Sequence, residues 1–470
     1  MASISSLGIG SGLDLNGLLE QMSKAEQQRL MPYTTQQTSS NAKLTAYGTL
    51  KGALEKFDNL SKELANADFF NNTTASQHSQ FNITTNTRSV AGSYSIDVRQ
   101  LAQSPILTST ATIAAQTAKL GSDGAINRSI SITAGVPPKE VKISLHDEQT
   151  SLVEMRDAIN RANAGVNATI MRVGDNAYAL ALNSSTSGEN SQIAIQVNND
   201  DKLGELFNYD PAKGAANPMF ASSKGQDAKI QINGIEITRS TNSITDALQG
   251  VTINLISTTK PSEPQNLIIN TDKQGSADKI KQWVDSYNSL LDISNSLTKY
   301  TPVKSGESQN SKNGALLGDY TLRGLQSSIK SILSTAQDNP ELKGLGNLGI
   351  STNSKTGKLE INNEKLKKAI DEKPQQITNF FVGNGKNTGM ATEIHNEIQE
   401  YIKAEGILEK TTKSIDKDLE RLTTQIARVS ESIQNTIDRY KQQFVQLDNM
   451  MSKLNGTSAY LTQQFSSKKP

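Results

Sequence analysis

The sequence predicts an α+β multidomain protein with discontinuous helical legs and a terminal coiled coil formed by both chain ends, with two nested β-rich head domains inserted. Apolar residues recur at helical spacing near both termini, they alternate with a period of two between about residues 71 and 273, and the helical period returns after Asp272. With 470 residues the chain is long enough for about three domains of ordinary size.

The strongest pattern lies at the C-terminal end. Ile415, Leu419, Leu422, Ile426, Val429 and Ile433, then Tyr440, Phe444, Leu447, Met451 and Leu454, step by four and three, with Thr436 holding the seam between the two sets. This is a heptad register, and at ~1.5 Å per residue the patterned helix is roughly 60 Å long. A seam that narrow requires partner helices in water. At the opposite end Leu15, Leu18, Met22 and Ala25 form an amphipathic run, Pro32 is expected to interrupt it, and Leu44, Tyr47, Leu50, Leu54, Phe57, Leu60 and Leu64 resume at helical spacing. The simplest arrangement is out and back, with the N-terminal helices pairing with those of the C-terminal half.

The middle of the chain reads as strands: Phe81 and Ile83; Tyr94, Ile96 and Val98; Ile130 and Ile132; Val141, Ile143 and Leu145; Tyr178, Leu180 and Leu182; Ile193, Ile195 and Val197; Ile230 and Ile232; Val251, Ile253 and Leu255. One helix, Leu152 to Ala162, is expected to interrupt them, capped by Thr150 or Ser151. Val141 to Val173 is paralleled by Ile230 to Ile256, where Ser243 to Leu248 would supply a shorter turn of helix. These signals divide the chain into 1–42 with 425–470 (terminal coiled coil), 43–78 with 274–424 (helical leg), 79–125 with 226–273 (first β-rich domain) and 126–225 (second, inserted in the first). After Asp272, helices are expected around Ile280 to Leu291, Leu322 to Ile332, 363–373 and 390–405. A mobile loop is expected at Thr301 to Asn313, a hairpin at Leu348 to Ile361, and a break at Gly406 before the terminal helix.

Composition narrows the function. Forty-eight Lys and Arg against 47 Asp and Glu give a net charge of +1, so the basic footprint of a nucleic-acid binder is missing. The absence of cysteine excludes disulfides, thiolate metal sites and a cysteine nucleophile. Hydrophobic content of 35% and aromatic content of 5% suit a surface-rich molecule whose apolar faces await a partner. No apolar run reaches the ~18 residues of a membrane span, and no basic residue precedes Lys24, so a cleaved secretory signal is not expected.

The motifs that resemble catalytic sites are weak. His146-Asp147-Glu148 lacks a second histidine one helical turn away, since His78 and His395 are remote. Gly383-Asn384-Gly385-Lys386 has Asn387 where a phosphate loop needs Ser or Thr, and reads as a surface turn. Ser351 to Leu359 has Lys355 where a calcium loop needs an oxygen ligand, and reads as a hairpin turn. Gly8-Ile9-Gly10-Ser11-Gly12 follows no strand, so it is expected to be a flexible leader before a helix starting at Asp14 or Ser11. No cofactor, metal or catalytic residue is expected. The candidate functional residues are therefore those of the seam, Leu15, Leu18 and Met22 with Ile415 to Leu454, and periodicity alone serves equally a seam that joins two halves of one chain and one that docks a partner.

Ser3-Ile4-Ser5-Ser6-Leu7-Gly8-Ile9-Gly10-Ser11-Gly12-Leu13-Asp14 resembles the opening of the flagellar hook-associated protein 2 family, the filament caps. Val141 to Val173 is similar to a domain repeated in hook and flagellin proteins. Leu316-Leu317-Gly318-Asp319-Tyr320-Thr321-Leu322-Arg323, Leu348-Gly349-Ile350 with Gly357-Lys358-Leu359, and Phe444 through Leu461 resemble the C-terminal half of the family. The resemblance implies a non-enzymatic structural protein, exported by the flagellar type III apparatus to the filament tip outside the cell. There it would form a homo-oligomeric ring, commonly a pentamer, and guide arriving flagellin, with an export chaperone binding the C-terminal helix. The competing readings are an adhesin binding host mucus through the β head, and a flagellin or junction subunit.

Overall fold

The computed structural model describes residues 7–306 and 309–466, so the Ser3 to Ser6 part of the opening motif and positions 307 and 308 of the expected mobile loop lie outside the described residues. The chain divides into two compact units: one contains the chain up to Ala67 together with Lys273 onward, and the other is Asp68–Asp272.

The first unit is helical: Leu15–Gln27, Met31–Leu64, Lys273–Leu297, Tyr320–Ser334, Asn363–Glu372, Pro374–Val382, Met390–Ile402 and Ile407–Ser466. Helices Lys273–Leu297, Met390–Ile402 and Ile407–Ser466 all pack on Met31–Leu64. Its apolar stripe, Leu50, Leu54, Phe57 and Leu64, is completely buried. Trp283 lies with its ring centroid 5.5 Å from that of Phe57 and meets Phe381 edge to face at 5.9 Å. The indole N–H donates to Ser61 Oγ at 3.0 Å, which satisfies the one polar atom that this burial would otherwise strand. Asp58 is buried on the same helix. Its carboxylate accepts from Gln399 Nε2 at 2.7 Å and lies 2.8 Å from His395 Nδ1. Asp319 has two tasks: it caps Tyr320–Ser334 by accepting from Leu322 N (2.9 Å) and accepts from the Tyr47 hydroxyl (2.6 Å). Burial, and then Asp319 itself, push the Tyr47 phenol well above its ordinary value.

The second unit holds two β cores. Phe81, Ile96, Val98, Ile230, Ile253, Leu267 and Ile269 form the first. They lie on a five-stranded sheet, in the order Thr73–Ala75, Gln265–Thr271, Gly92–Gln100, Ala228–Ile232, Ile235–Arg239, and on a three-stranded sheet, Ser243–Leu248, Val251–Leu255, Phe81–Thr85. The pair Ala228–Ile232 and Ile235–Arg239 is joined by Asn233-Gly234, both at positive φ, the two-residue hairpin turn that matches strand twist. The second core includes Leu107, Ile132, Leu152, Met155, Ile159, Leu182 and Phe207. Its sheets are Met219–Ser223, Ile106–Ser109, Ala177–Ser184, Val166–Gly174 and Lys139–Ser144, Ser129–Ala134, Ala194–Asn198.

Four local expectations are corrected. Pro32 does not break the leg: it occupies the first turn of Met31–Leu64, where its missing N–H costs nothing, and the interruption is a single 3-10 turn, Gln28–Leu30. Ser243–Leu248 is a strand, not a helix, because Ser243 and Ile244 pair with Asn254 and Ile253 and tertiary pairing overrides local propensity. A second helix, Asp201–Phe207, interrupts the β region; Asp200 caps it, and its seven residues are too few to show a clear period. The expected 363–373 helix is followed at once by another, Pro374–Val382.

Arg128 is buried in the second core, where Nε meets Asp200 at 2.5 Å, Nη1 meets Asp147 at 2.9 Å and Nη2 donates to Ser122 O. Burial alone would raise the Asp200 carboxyl, but hydrogen bonds from Leu203 N, Arg128 and Ser122 outweigh it and hold the group below the usual carboxylate range. Arg128→Met leaves that carboxylate unpaired and is expected to cost about 3–5 kcal/mol, measurable as a lower unfolding midpoint. Since a depressed carboxyl stabilises the fold above its unfolded pKa and loses that contribution as pH falls, the deficit of the variant should narrow below about pH 4. A deficit independent of pH would contradict this account.

The two β cores are tied where the chain crosses between them. Gln103 and Gln226 exchange both backbone hydrogen bonds (2.9 and 3.1 Å), and Gly188 N also donates to Gln103 O. The loop around Gly188 reaches back to the first core, with Glu189 N donating to Asp227 Oδ1 (2.7 Å) and Ser187 Oγ to Ser240 O (2.5 Å). Gly188 has φ +106°, and a Cβ there would lie 2.6 Å from Ser240 Cβ, so only glycine fits. Gly188→Val is expected to release this third tie and split the thermal unfolding of the β unit into two transitions by calorimetry; a single unchanged transition would show that the tie carries no coupling.

Candidate functional site

The seam residues come together along the terminal helix, which runs for 60 residues, about 90 Å, longer than the patterned stretch alone. Its partners are the N-terminal helices Leu15–Gln27 and Met31–Leu64. Gln37 Nε2 donates to Thr423 Oγ1 (3.3 Å) and Ser11 to Asp448, so the two legs run antiparallel in nearly matched register.

Burial along the seam is graded. Leu422 and Ile433 are buried at 2% and 6% exposure, and Leu15 at 3%. Ile415, Leu419, Ile426, Val429, Tyr440, Phe444, Met451 and Met22 are half-buried. Leu447 and Leu454 are 40% and 51% exposed, and Leu18 is exposed as well. Toward its end the helix therefore keeps an apolar face that the N-terminal leg does not cover. Met450, Tyr460, Leu461 and Phe465 enlarge it. Met450 and Tyr460 lie off the heptad positions, whereas Leu461 and Phe465 continue the register past Leu454, where the polar Ser458 interrupts it.

The glycine leader is more ordered than its composition predicts. Ser11 N and Oγ donate to Asp448 Oδ1 at 2.8 and 2.5 Å. The Ser11 hydroxyl, against a smaller opposing effect of burial and with the help of the backbone N–H groups, holds the Asp448 carboxyl below its ordinary value. Asp14, one of the two expected starting residues, caps the first helix by accepting from Gly17 N at 2.9 Å. Asp448 was not legible as a site, because an aspartate on the polar side of a heptad is ordinary until its partner is known.

The motifs weighed for chemistry have structural tasks. Asp147 pairs with Arg128. The Asn384 side chain accepts from the backbone N–H groups of Lys386, Asn387 and Thr388 and closes a surface turn. Ser351 to Leu359 joins the strands Ile350–Thr352 and Leu359–Ile361. Among the described residues, no cluster of His, Asp and Glu is placed to hold a metal ion, and no helix is long and apolar enough to cross a membrane.

Comparison with known proteins gives the graded seam a context. A family model described as the flagellar hook-associated protein 2 C-terminus matches residues 225–456, one for the N-terminus of the same protein matches 11–105, and the flagellin hook IN motif matches 129–186. The flagellar hook-associated protein 2 of Salmonella typhimurium is 41% identical over 466 residues, covering 99% of each chain. The chain belongs to the flagellar hook-associated protein 2 family. Its counterpart in Escherichia coli is 41% identical over 468 residues, covering 99% of this chain and 98% of that one. The crystal structure of the flagellar cap protein FliD D1-D2-D3 domains from Escherichia coli superposes with a TM-score of 0.68 at 35% identity, covering 79% of this chain and 99% of that one. The mixed helical and β-rich architecture is thus shared with that flagellar cap structure.

The gradient separates two kinds of seam substitution. Leu422→Asp buries an unpaired carboxylate and is expected to lower leg stability by several kcal/mol, whereas Leu447→Asp places the charge at an exposed site and should leave the melting temperature of the isolated chain nearly unchanged. Equal destabilisation by both would mean that the exposed stretch is packed in the free protein.

Proposed function

We propose that the chain, a structural capping protein of the flagellar filament, grips the filament end reversibly through its legs while exported flagellin folds into place there. The observation that carries this reading is the uncovered apolar face on the last part of the terminal helix, continuous with a seam that is buried further back. A face of this kind is unfavourably exposed to water until a complementary helix covers it. Confinement acts as a high effective concentration, and folding and burial of the incoming subunit supply the driving free energy, so the legs need no catalytic chemistry of their own.

The finer parts of the reading follow from the family. Several copies form a closed ring, commonly a pentamer, at the flagellar tip outside the cell; the flagellar type III apparatus exports each chain; and a cytoplasmic chaperone shields the terminal helix before export. The working parts are the terminal coiled coil (1–42 with 425–470), the helical leg (43–67 with 274–424) and two β-rich head domains, one inserted in the other; the leg ends at Ala67, short of the expected 78, because Thr73–Ala75 pairs with Gln265–Thr271. The adhesin reading is not favoured, since relatives named for a flagellar hook-associated protein match the legs and the β region alike.

A strain lacking the gene and complemented with Leu447→Asp, Leu454→Asp is expected to shed unpolymerised flagellin into the medium and carry few or no filaments, although the variant folds. Normal filaments in that strain would overturn the docking role. Adhesion lost with filaments intact would favour the adhesin instead.

A further inference from the structure

We propose that Asp448 sets the register of the N-terminal leader on the terminal helix, as a positioning residue for the leg. The leader is not held by apolar packing: Ile9 is 77% exposed and Leu13 46% exposed, while the buried parts of the segment are Gly8 and the serine at position 11. What holds it is one carboxylate. Ser11 N and Ser11 Oγ both donate to Asp448 Oδ1, at 2.8 and 2.5 Å, and Gly12 N closes the loop by donating to Gly8 O at 2.9 Å. A main-chain N–H and a hydroxyl of one residue thus grip a carboxylate from the other end of the chain.

Gly8 has φ +97°, which only glycine adopts readily, and Gly10 lies close against the helix, where an added Cβ would sit 3.0 Å from Ser452 Cβ, one helical turn beyond Asp448. Apolar seams repeat every few residues and tolerate slippage, whereas a single polar contact at one position does not. Asp448 thereby fixes which turn of the terminal helix lies beside Ile9 and Leu13, and so where the exposed residues of the two segments meet. This inference rests on the leg alone and is tested on purified full-length protein, so its failure would leave the capping role untouched.

The chain has no cysteine, so introduced pairs report position directly. Gly10→Cys with Ser452→Cys should form a disulfide readily, because a small adjustment brings their Cβ atoms to the ~3.5–4.5 Å that the bond needs. Adding Asp448→Asn should slow this cross-link about tenfold, since hydrogen bonds to a charged acceptor are each worth that much or more. Moving the carboxylate one turn, with Asp448→Asn and Ser452→Asp together, should raise cross-linking of Gly10→Cys to Gly456→Cys above its level in Asp448→Asn alone, an effect a general stabilising role would not produce. In the cysteine-free Asp448→Asn variant, amide exchange at Ser11 should speed up about tenfold while Leu422 and Ile433 keep their protection. Unchanged cross-linking at position 452, no gain at position 456 on moving the carboxylate, or unchanged exchange at Ser11 would each overturn the proposal.

Discussion

The rest of the structure depends on one constraint: a 60-residue helix with a narrow apolar seam cannot stand in water without a partner. The partner comes from the other end of the same chain. Pairing the two ends antiparallel places everything between them in a closed excursion, so Asp68–Asp272 folds as an insertion bounded by Ala67 and Lys273. The entropy of closing so long a loop grows only slowly with its length, which makes a large inserted unit thermodynamically tolerable. The helical unit then needs a rigid centre, and Met31–Leu64 supplies it by packing three other helices on one stem around Trp283 and Phe57.

The legs combine two kinds of contact with different consequences. Apolar burial near Leu422 and Ile433 is non-directional and gives stability. Polar contacts at the far end, from Ser11 N and Oγ to Asp448, are directional and give position. Between Leu447 and Phe465 the apolar face remains exposed. A surface that is apolar, helical and anchored at its edge suits a contact made and broken repeatedly better than a sealed coiled coil would. The β unit is built on the opposite plan. Its two cores are tied by the isolated backbone bridge between Gln103 and Gln226 and by the loop at Gly188, and the second core is braced internally by the Arg128 and Asp200 pair, so rigidity there comes from backbone pairing and satisfied buried charge.

Much of this was legible in the sequence because hydrophobic period reports which side of an element faces apolar matter. The seam from Ile415 to Leu454 and the break at Gly406 follow from spacing, as does the helix Leu152–Ala162 with its capping Ser151. Where the signal was short, it failed for a physical reason. Ser243–Leu248 was read as helical because a six-residue segment has no period to measure, and its strand partner Val251–Leu255 decided the matter. Pro32 was read as a break because sequence does not show that a helix begins at Met31 and places the proline in its tolerant first turn. In the β region alternating residues identify strands but not their neighbours, and the strand order came from the fold.

By itself the sequence determined the helical ends, the β-rich middle, the absence of thiol chemistry and the membership in a structural flagellar family, since each depends on residue type and spacing along the chain. Only the tertiary structure decided how much of the seam is covered, and that Arg128 reaches Asp200, Glu189 reaches Asp227 and Ser11 reaches Asp448. These contacts join residues 72, 38 and 437 positions apart, and each forms between ordinary polar residues that carry no periodic signal. Their meaning comes from the distance that folding closes, which spacing along a chain does not encode.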